Sequence, residues 1–273
     1  MIKRFYTYVK QSFVRQNYRF TNYSPQLGRS VTVDVLLPLR YRFYKKYPLI
    51  VFNDGQDFEA LGMKNTLKWM YKEGLIKDAI IVGVHCNENR MYEYGTLEGN
   101  HYAGYGNKAY QYNQFIVKEL LLWLQDNYGV DSRQRMIAGF SLGGLSALDI
   151  AWNNAGIFSK IGAFSASLWW RSRPFDEKNP DADRIMIETI ANGKKHDGLK
   201  FWFQVGTRDE EDDRNNNGII DAIDDTQDAI NALLSIGYKN VDINYEEVQD
   251  GEHNPKTWGA IMHAFLIWAI GNK

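Results

Sequence analysis

Apolar strands alternate with helices along most of this chain, and this alternation limits the possible folds more than any other feature. Continuous apolar runs at 48–52 and 79–84 are typical of strands buried on both faces of a sheet. Helical periodicity is clearest at 109–127 and 255–270. The pattern predicts a single α/β domain over residues 1–273, with a mostly parallel sheet that begins in an antiparallel arm.

The same periodicity predicts the other elements. Strands are expected at 30–37, 136–138, 160–164, 199–205 and 241–248, and an edge strand or hairpin arm at 5–14. Helices are expected at 58–72, from Leu142 onward, at 184–191 and at 226–235. In a parallel sheet, catalytic groups gather in the loops at the carboxyl ends of the strands, so those loops are where functional residues are sought.

Composition argues against several classes of partner. The 273 residues carry a formal net charge of −1, which gives no bulk attraction, so neither nucleic acid nor a membrane is expected as a partner. No apolar run reaches the length of a membrane span, and residues 1–25 show no secretory signal, so a cytoplasmic protein is expected. Cys86 is the only cysteine, which excludes an internal disulfide. The oligomeric state is left open.

A glycine-rich turn holds the strongest catalytic signal. Gly139-Phe140-Ser141-Leu142-Gly143 fits the G-x-S-x-G pattern between an apolar strand and a helix. Glycines there let the strand and the helix approach closely while the serine adopts a strained backbone. The pattern predicts Ser141 as a nucleophile, and a serine that merely caps the helix is the alternative.

A serine nucleophile needs a base and an orienting carboxylate. Of the five histidines, His253 is predicted as the base, because it follows the strand 241–248 and comes after the serine in the chain. Asp209 directly follows the strand 199–205 and is the leading candidate for the acid. Glu210 and Asp212 in the same loop stay open as alternatives, and a solvated acidic turn is the non-catalytic interpretation.

Two backbone amides are predicted to bind the oxyanion of the reaction. Leu142 directly follows the nucleophile, and Gln56 lies in the turn 53–56 after an earlier strand. An ordinary β-turn is the alternative interpretation of 53–56.

Taken in order, these motifs resemble the esterase D, enterochelin-esterase and feruloyl-esterase group of the α/β-hydrolase superfamily. The resemblance rests on 53–58, 115–120, 138–145, 164–170, 205–209 and 251–254, and it spans roughly residues 30–270. It implies a three-layer α/β-hydrolase fold with helices on both faces of the sheet. It also implies ester hydrolysis through an acyl-enzyme on Ser141, with His253 as base and Asp209 as acid, and no cofactor for catalysis. The acidic loop after Asp209 is longer than the family pattern.

The sequence therefore predicts a serine carboxylic-ester hydrolase acting on a small-molecule or carbohydrate ester. The predicted substrate pocket is lined by Trp169, Trp170, Arg90 and Tyr94. Aromatic walls suit feruloyl or acetylated sugar esters and catecholate siderophore esters. An acyltransferase with the same triad and a non-catalytic carbohydrate-binding domain are the alternative functions.

An acidic loop at 209–225 is predicted to bind a structural calcium ion that rigidifies the segment after Asp209. Residues 209–228 hold nine carboxylates and one arginine, which should repel one another unless solvated or neutralised. Segment 213–224 fits the spacing of an EF-hand loop, with Asp in place of Glu at its last position. An Asx-rich surface turn is the alternative. The predicted ligands are Asp213, Asn215, Asn217, Ile219, Asp221 and Asp224.

Overall fold

Residues 17–272 are described by the computed structural model, and their strands form one eight-stranded sheet. The strands are β1 (Asn17–Ser24), β2 (Arg29–Leu36), β3 (Tyr47–Asn53), β4 (Ile80–Val84), β5 (Val130–Phe140), β6 (Lys160–Phe164), β7 (Lys200–Arg208) and β8 (Ile243–Glu252). Their order across the sheet is β1-β2-β4-β3-β5-β6-β7-β8. β2 is antiparallel to β1 and β4, whereas the other neighbours are parallel. The predicted mostly parallel sheet with antiparallel N-terminal strands is confirmed.

Helices cover both faces of the sheet, which gives the three layers of the predicted α/β-hydrolase fold. They are α1 (Met63–Lys72), α2 (Arg90–Glu93), α3 (Ala109–Gln114), α4 (Leu121–Asn127), α5 (Leu142–Asn153), α6 (Ile185–Ala191), α7 (Asp221–Ser235) and α8 (Pro255–Ile270). A π-helical segment, Phe115–Leu120, joins α3 to α4. Apolar residues of α1 and α8 pack on one face of the sheet, and those of α3 to α7 pack on the other.

Several boundaries differ from the sequence prediction. β1 is absent from that prediction because it is a sheet edge whose residues are mostly exposed and polar. The predicted arm at 5–14 lies outside the described residues. α1 begins at Met63 instead of residue 58, because a separate 3-10 turn occupies Gly55–Phe58 and Gly62 has a φ of 64°. α7 begins at Asp221 instead of residue 226, so the acidic loop is shorter than expected.

None of the helices within residues 17–272 has both the length and the apolar character that crossing a membrane requires.

Candidate active site

The turn between β5 and α5 has the strand, turn and helix predicted around Ser141. Ser141 has a φ of 54° and a ψ of −125°, a conformation that L-residues rarely adopt. A Cβ at Gly139 would lie 2.2 Å from the Gly143 carbonyl oxygen, so glycine is needed where the strand meets the helix. The Ser141 amide donates to the Phe164 carbonyl at 2.9 Å, which fixes the turn to the end of β6.

Leu142 is the first residue of the 12-residue helix α5. The amides of Gly144 and Leu145 donate to the Ser141 carbonyl at 2.9 and 3.2 Å. The Leu142 amide precedes them, and the first amides of a helix have no acceptor within the helix. It therefore lies beside Ser141 at the positive end of the helix dipole.

The turn between β5 and α5 that holds Ser141 is called the elbow below. The turn after β3 lies against it. Asn53 is buried, its Nδ2 donates to the Gly143 carbonyl at 2.8 Å, and its Oδ1 accepts from the Tyr112 hydroxyl at 2.7 Å. Gly55 packs so closely on β4 that a Cβ would lie 2.3 Å from a backbone carbon of that strand. These contacts place the 3-10 turn that contains Gln56 next to the first turn of α5.

Arg90 and Tyr94, two of the predicted pocket residues, bind this turn. Arg90 donates from Nε and Nη2 to the two carboxylate oxygens of Asp54, both at 2.8 Å. Burial by itself would lower the pKa of Arg90, but the hydrogen bonds and the attraction to Asp54 outweigh it and raise the pKa. Tyr94 is fully buried, and its hydroxyl accepts from the Asp54 amide at 3.1 Å. The pocket role is wrong for Tyr94, because no surface of the side chain remains for a substrate.

The two tryptophans after β6 have different environments. Trp170 is fully buried and packs on His101 with ring centroids 4.7 Å apart, so its predicted pocket role is also wrong. Trp169 is 42% exposed, and its ring lies edge-on to the same histidine with centroids 5.8 Å apart. Burial among these rings lowers the pKa of His101. Tyr102, which is 52% exposed, contacts His101 at 4.2 Å. Trp169 and Tyr102 thus form an exposed aromatic surface.

β7 and β8 extend beyond the rest of the sheet as a two-stranded ribbon. The pairing of β6 with β7 ends at Gln204, whereas β7 and β8 remain paired up to Arg208 and Glu252. Asp209 and His253 are the next residues along the two strands. Asp209 Oδ2 lies 3.8 Å from His253 Nδ1. The ribbon therefore brings two of the predicted catalytic residues together.

The Asp209 carboxylate is buried in an unusual way. Its side chain is 1% exposed, and within residues 17–272 neither oxygen has a hydrogen-bond partner. A separation of 3.8 Å from His253 is within reach of charge attraction but too long for a hydrogen bond. The His253 side chain is 40% exposed, so its ring has space to move.

Glu210, an alternative acid, is engaged elsewhere. Burial raises the pKa of Glu210 to about 7, although a hydrogen bond from the Ala222 amide favours its charged form. Ala222 belongs to the first turn of α7. Among the acids of this loop that the structure describes, Asp209 is the one that forms an ion pair with His253.

Three residues near the elbow are absent from the sequence prediction. Ser167 Oγ lies 3.5 Å from Ser141 Oγ, and Trp258 Nε1 donates to Ser165 Oγ at 2.9 Å. The Trp258 ring also lies edge-on to His253 with centroids 5.3 Å apart. The two serines directly follow β6, which is a usable signal, whereas a tryptophan inside a helix gives none. The hydrogen bonds of residues 17–272 do not include one between the Ser141 hydroxyl and His253.

The predicted calcium loop satisfies its own hydrogen bonds. Asp213 accepts from the backbone amides of Asn217 and Gly218. Asp224 accepts from the side-chain amides of Asn215 and Asn217 at 3.0 and 2.7 Å. In the part of the chain that the structure describes, no three His, Cys, Asp or Glu side chains are grouped to hold a metal ion. The described side chains therefore do not support the calcium site.

Two arginines neutralise the acidic region. Arg184 binds Asp225 and Asp228 at 2.5 and 2.6 Å. Arg214 binds Asp225 and Asp181, both at 2.7 Å. Each arginine side chain is 5% exposed and Asp225 is 1% exposed, so their contacts are buried, whereas Asp181 and Asp228 are partly exposed.

Comparison with known proteins assigns the family. The model of the family described as "Putative esterase" matches residues 24–269. The chain belongs to this esterase family. This esterase is therefore a carboxylic ester hydrolase. A relative from Bacillus subtilis (strain 168), "Uncharacterized protein YjcH", is 24% identical over 243 residues, which cover 88% of this esterase and 91% of the relative.

Solved structures share the fold of this esterase. A ferulic acid esterase has a TM-score of 0.70 and 18% identity, over 93% of this chain and 97% of that chain. The siderophore hydrolase EstB from Aspergillus nidulans has a TM-score of 0.67 and 17% identity, over 94% and 97%. The enterobactin esterase FES from Shigella flexneri, in the presence of enterobactin, has a TM-score of 0.74 and 19% identity, over 93% of this chain and 58% of that chain. At these identities the likeness shows the fold alone.

Proposed function

We propose that this esterase cleaves its substrate through a covalent acyl-enzyme on Ser141, with His253 as the general base and Asp209 as the acid that orients it. The observation that carries the proposal is the 3.8 Å approach of Asp209 to His253. Both residues follow the carboxyl ends of their strands, as does Ser141 on its strained turn. A serine on such a turn and a histidine beside a buried carboxylate are the groups that a serine hydrolase requires.

In the first step, His253 Nε2 takes the proton of the Ser141 hydroxyl while Oγ bonds to the ester carbonyl carbon. The carbonyl oxygen becomes an oxyanion, which the backbone amides of Gln56 and Leu142 stabilise. The intermediate then expels the alcohol, which receives the proton from His253. Water attacks the acyl-enzyme with the same base, releasing the carboxylic acid and restoring Ser141.

Asp209 orients the imidazole in this mechanism. When its carboxylate accepts the Nδ1–H of His253, Nε2 is left without a proton and can act as the base. A movement of the ring by about 1 Å would bring the two groups within hydrogen-bond distance. The carboxylate then also stabilises the imidazolium that forms during each step.

We extend the proposal to esters of aromatic acids. Trp169, Tyr92 and Tyr102 are 42%, 41% and 52% exposed, in the segments that follow β6 and β4. Exposed flat rings favour the stacking of an aromatic acyl group. The structural neighbours named as a ferulic acid esterase, an enterobactin esterase and a siderophore hydrolase support the same choice of substrates.

A panel of esters tests the proposal. The wild type and Ser141→Ala are assayed with p-nitrophenyl acetate, a feruloyl ester, an acetylated sugar and a catecholate siderophore ester. We expect the highest kcat/KM on the aromatic acyl esters and a loss of at least about 10³-fold in Ser141→Ala. Turnover that is unaffected by Ser141→Ala, together with no labelling by a fluorophosphonate, would overturn the mechanism. Product analysis with added alcohols separates hydrolysis from acyl transfer.

We also propose calcium as a structural ligand of the 213–224 loop. The support is the EF-hand-like spacing of its oxygen-bearing side chains along the sequence. The ion would rigidify the segment after Asp209 and take no part in the chemistry. A thermal melt with added calcium and with a chelator is the test, with the Asp213→Asn variant as the control. Equal midpoints and equal activity in both conditions contradict the proposal.

A further inference from the structure

We propose that Arg90 is a positioning residue that aligns the two halves of the oxyanion site. The inference rests on the function proposed above. Two amides that must point at one oxygen come from separate elements, since Gln56 follows β3 and Leu142 opens α5. The Arg90 guanidinium contacts both of these regions.

The contact with the first half passes through Asp54. This residue has a φ of 60° and a ψ of 44°, a left-handed conformation, directly before the turn that contains Gln56. Arg90 binds both of its carboxylate oxygens at 2.8 Å, and Gln56 Nε2 binds one of them at 3.1 Å. A bidentate contact with the planar guanidinium fixes the rotation of the carboxylate as well as its position.

The contact with the second half is direct. Arg90 Nη2 lies 3.3 Å from the carbonyl oxygen of Phe140, the residue before Ser141. The Asp54 carboxylate also covers the first turn of α5, because a Cβ at Gly143 would lie 2.3 Å from Asp54 Oδ2. The Arg90–Asp54 pair thus occupies the space between the turn and the elbow. Its loss would let the two amides move apart.

The chain offers a matched control for this ion pair. Arg29 binds both carboxylate oxygens of Glu93, at 2.7 and 2.5 Å. Glu93 is 1% exposed and belongs to α2, the same short helix as Arg90. The Arg29–Glu93 pair joins that helix to β2, and among the described residues the Arg29 side chain donates to Glu93 and to the Ser30 carbonyl but not to the 53–56 turn.

The experiment compares Arg90→Gln, Arg90→Lys, Asp54→Asn and the double variant with the control Arg29→Gln. The measurements are kcat and KM for p-nitrophenyl acetate, inhibition by a trifluoromethyl ketone, and the melting temperature. A trifluoromethyl ketone bonds to the serine and leaves an oxyanion, so its affinity reports on the two amides. We expect Arg90→Gln and Asp54→Asn each to lower kcat and ketone affinity by roughly 10–100-fold, with KM within about threefold.

The double variant should be no slower than either single variant, because both changes remove one contact. Arg90→Lys keeps the positive charge but loses the bidentate contact of the guanidinium. Its kcat and ketone affinity should lie between those of the wild type and Arg90→Gln. Arg29→Gln should lower the melting temperature while kcat stays within about twofold of the wild type. The double variant leaves no buried unpaired charge, so it can be measured even where Arg90→Gln does not fold.

Wild-type kcat and ketone affinity in Arg90→Gln, or in the double variant, would overturn the positioning role. A higher KM with an unchanged kcat would overturn it in favour of substrate binding by Arg90. The failure of the wild type to hydrolyse any ester, or to be labelled at Ser141, is a different outcome and would overturn the underlying function.

Discussion

Several residues of the site lie in environments that are unfavourable for them as single residues. Ser141 and Asp54 both have positive φ values, and Asp209 is a buried carboxylate whose oxygens have no hydrogen-bond partner among the described residues. Strained or poorly solvated groups persist only where the surrounding structure holds them in place. In this esterase they lie at the carboxyl ends of β3, β5 and β7, where the proposed mechanism uses Ser141 and Asp209.

Replacing Asp209 by Asn should separate activity from stability. We expect kcat to fall by about 10³–10⁴-fold, because the imidazole loses the carboxylate that orients it. The melting temperature should be equal or higher, because an amide costs less to bury than a carboxylate whose oxygens accept no hydrogen bond from the described residues. Enzyme assays and calorimetry at pH 8 measure both effects. Glu210→Gln is the matched control and should retain most activity. An inactive Glu210→Gln variant together with a fully active Asp209→Asn variant would contradict the assignment of Asp209 as the acid.

At the scale of elements, burial decides what the sequence can predict. Strands such as β3 and β4 are predictable because both faces are covered and nearly every position is apolar, whereas the polar edge strand β1 is not. The elbow is predictable because its backbone demands local glycines. The environment of Arg90 is not, because its partner lies 36 residues away and nothing in the local sequence distinguishes an arginine in an ion pair from one at the surface.

The helix α5 contains a buried carboxyl group, Asp149. Its Oδ1 accepts from the Leu97 amide and from Asn153 Nδ2, both at 3.0 Å, yet burial raises its pKa to about 7. The folded protein therefore keeps a proton that the unfolded chain releases near its ordinary pKa of 3.8. The contribution of this group to the free energy of unfolding should fall as the pH rises from about 4 to about 7.

Asp149→Asn removes this titration while keeping an acceptor for the Leu97 amide. We expect the variant to gain of the order of 1–3 kcal/mol over the wild type at pH 8, and little at pH 4. Urea unfolding across this pH range gives the difference between the two proteins. If the free energies of unfolding of the two proteins change in parallel with pH, Asp149 is not the group that makes the stability depend on pH.

At the scale of the whole molecule, buried charges join segments that are far apart in sequence. Arg184 precedes α6, Arg214 lies in the acidic loop, and Asp225 on α7 binds both. Arg214 also binds Asp181, in the segment before α6. This network joins the segment before α6, the acidic loop that follows Asp209, and α7.

Replacing one partner of the Arg184–Asp225 ion pair should lower the free energy of unfolding more than replacing the second partner lowers it further. Arg184→Gln removes one of the two arginines that bind the buried Asp225 carboxylate. It is expected to cost up to about 3 kcal/mol of unfolding free energy, because Arg214 remains bound to the same carboxylate. The Arg184→Gln and Asp225→Asn pair should cost less than the sum of the single changes. Denaturant unfolding of the wild type, the two single variants and the double variant completes a double-mutant cycle. Arg133→Gln serves as the control, because that ion pair is 90% exposed on the arginine side and should contribute nothing measurable. Strict additivity would contradict the expected coupling.

The ribbon at the ends of β7 and β8 joins Asp209 and His253, the acid and the base of the proposed mechanism, in one structural unit. Beyond Gln204 the ribbon strands are paired with each other, so bending at that point carries Asp209 and His253 together. Ser141 stays behind on the turn between β5 and α5. The imidazole thus keeps its orientation towards the carboxylate while its distance from the hydroxyl varies. In the proposed mechanism the distance between His253 and the Ser141 hydroxyl limits the first proton transfer, so a substrate that holds the ribbon against the elbow would speed its own cleavage.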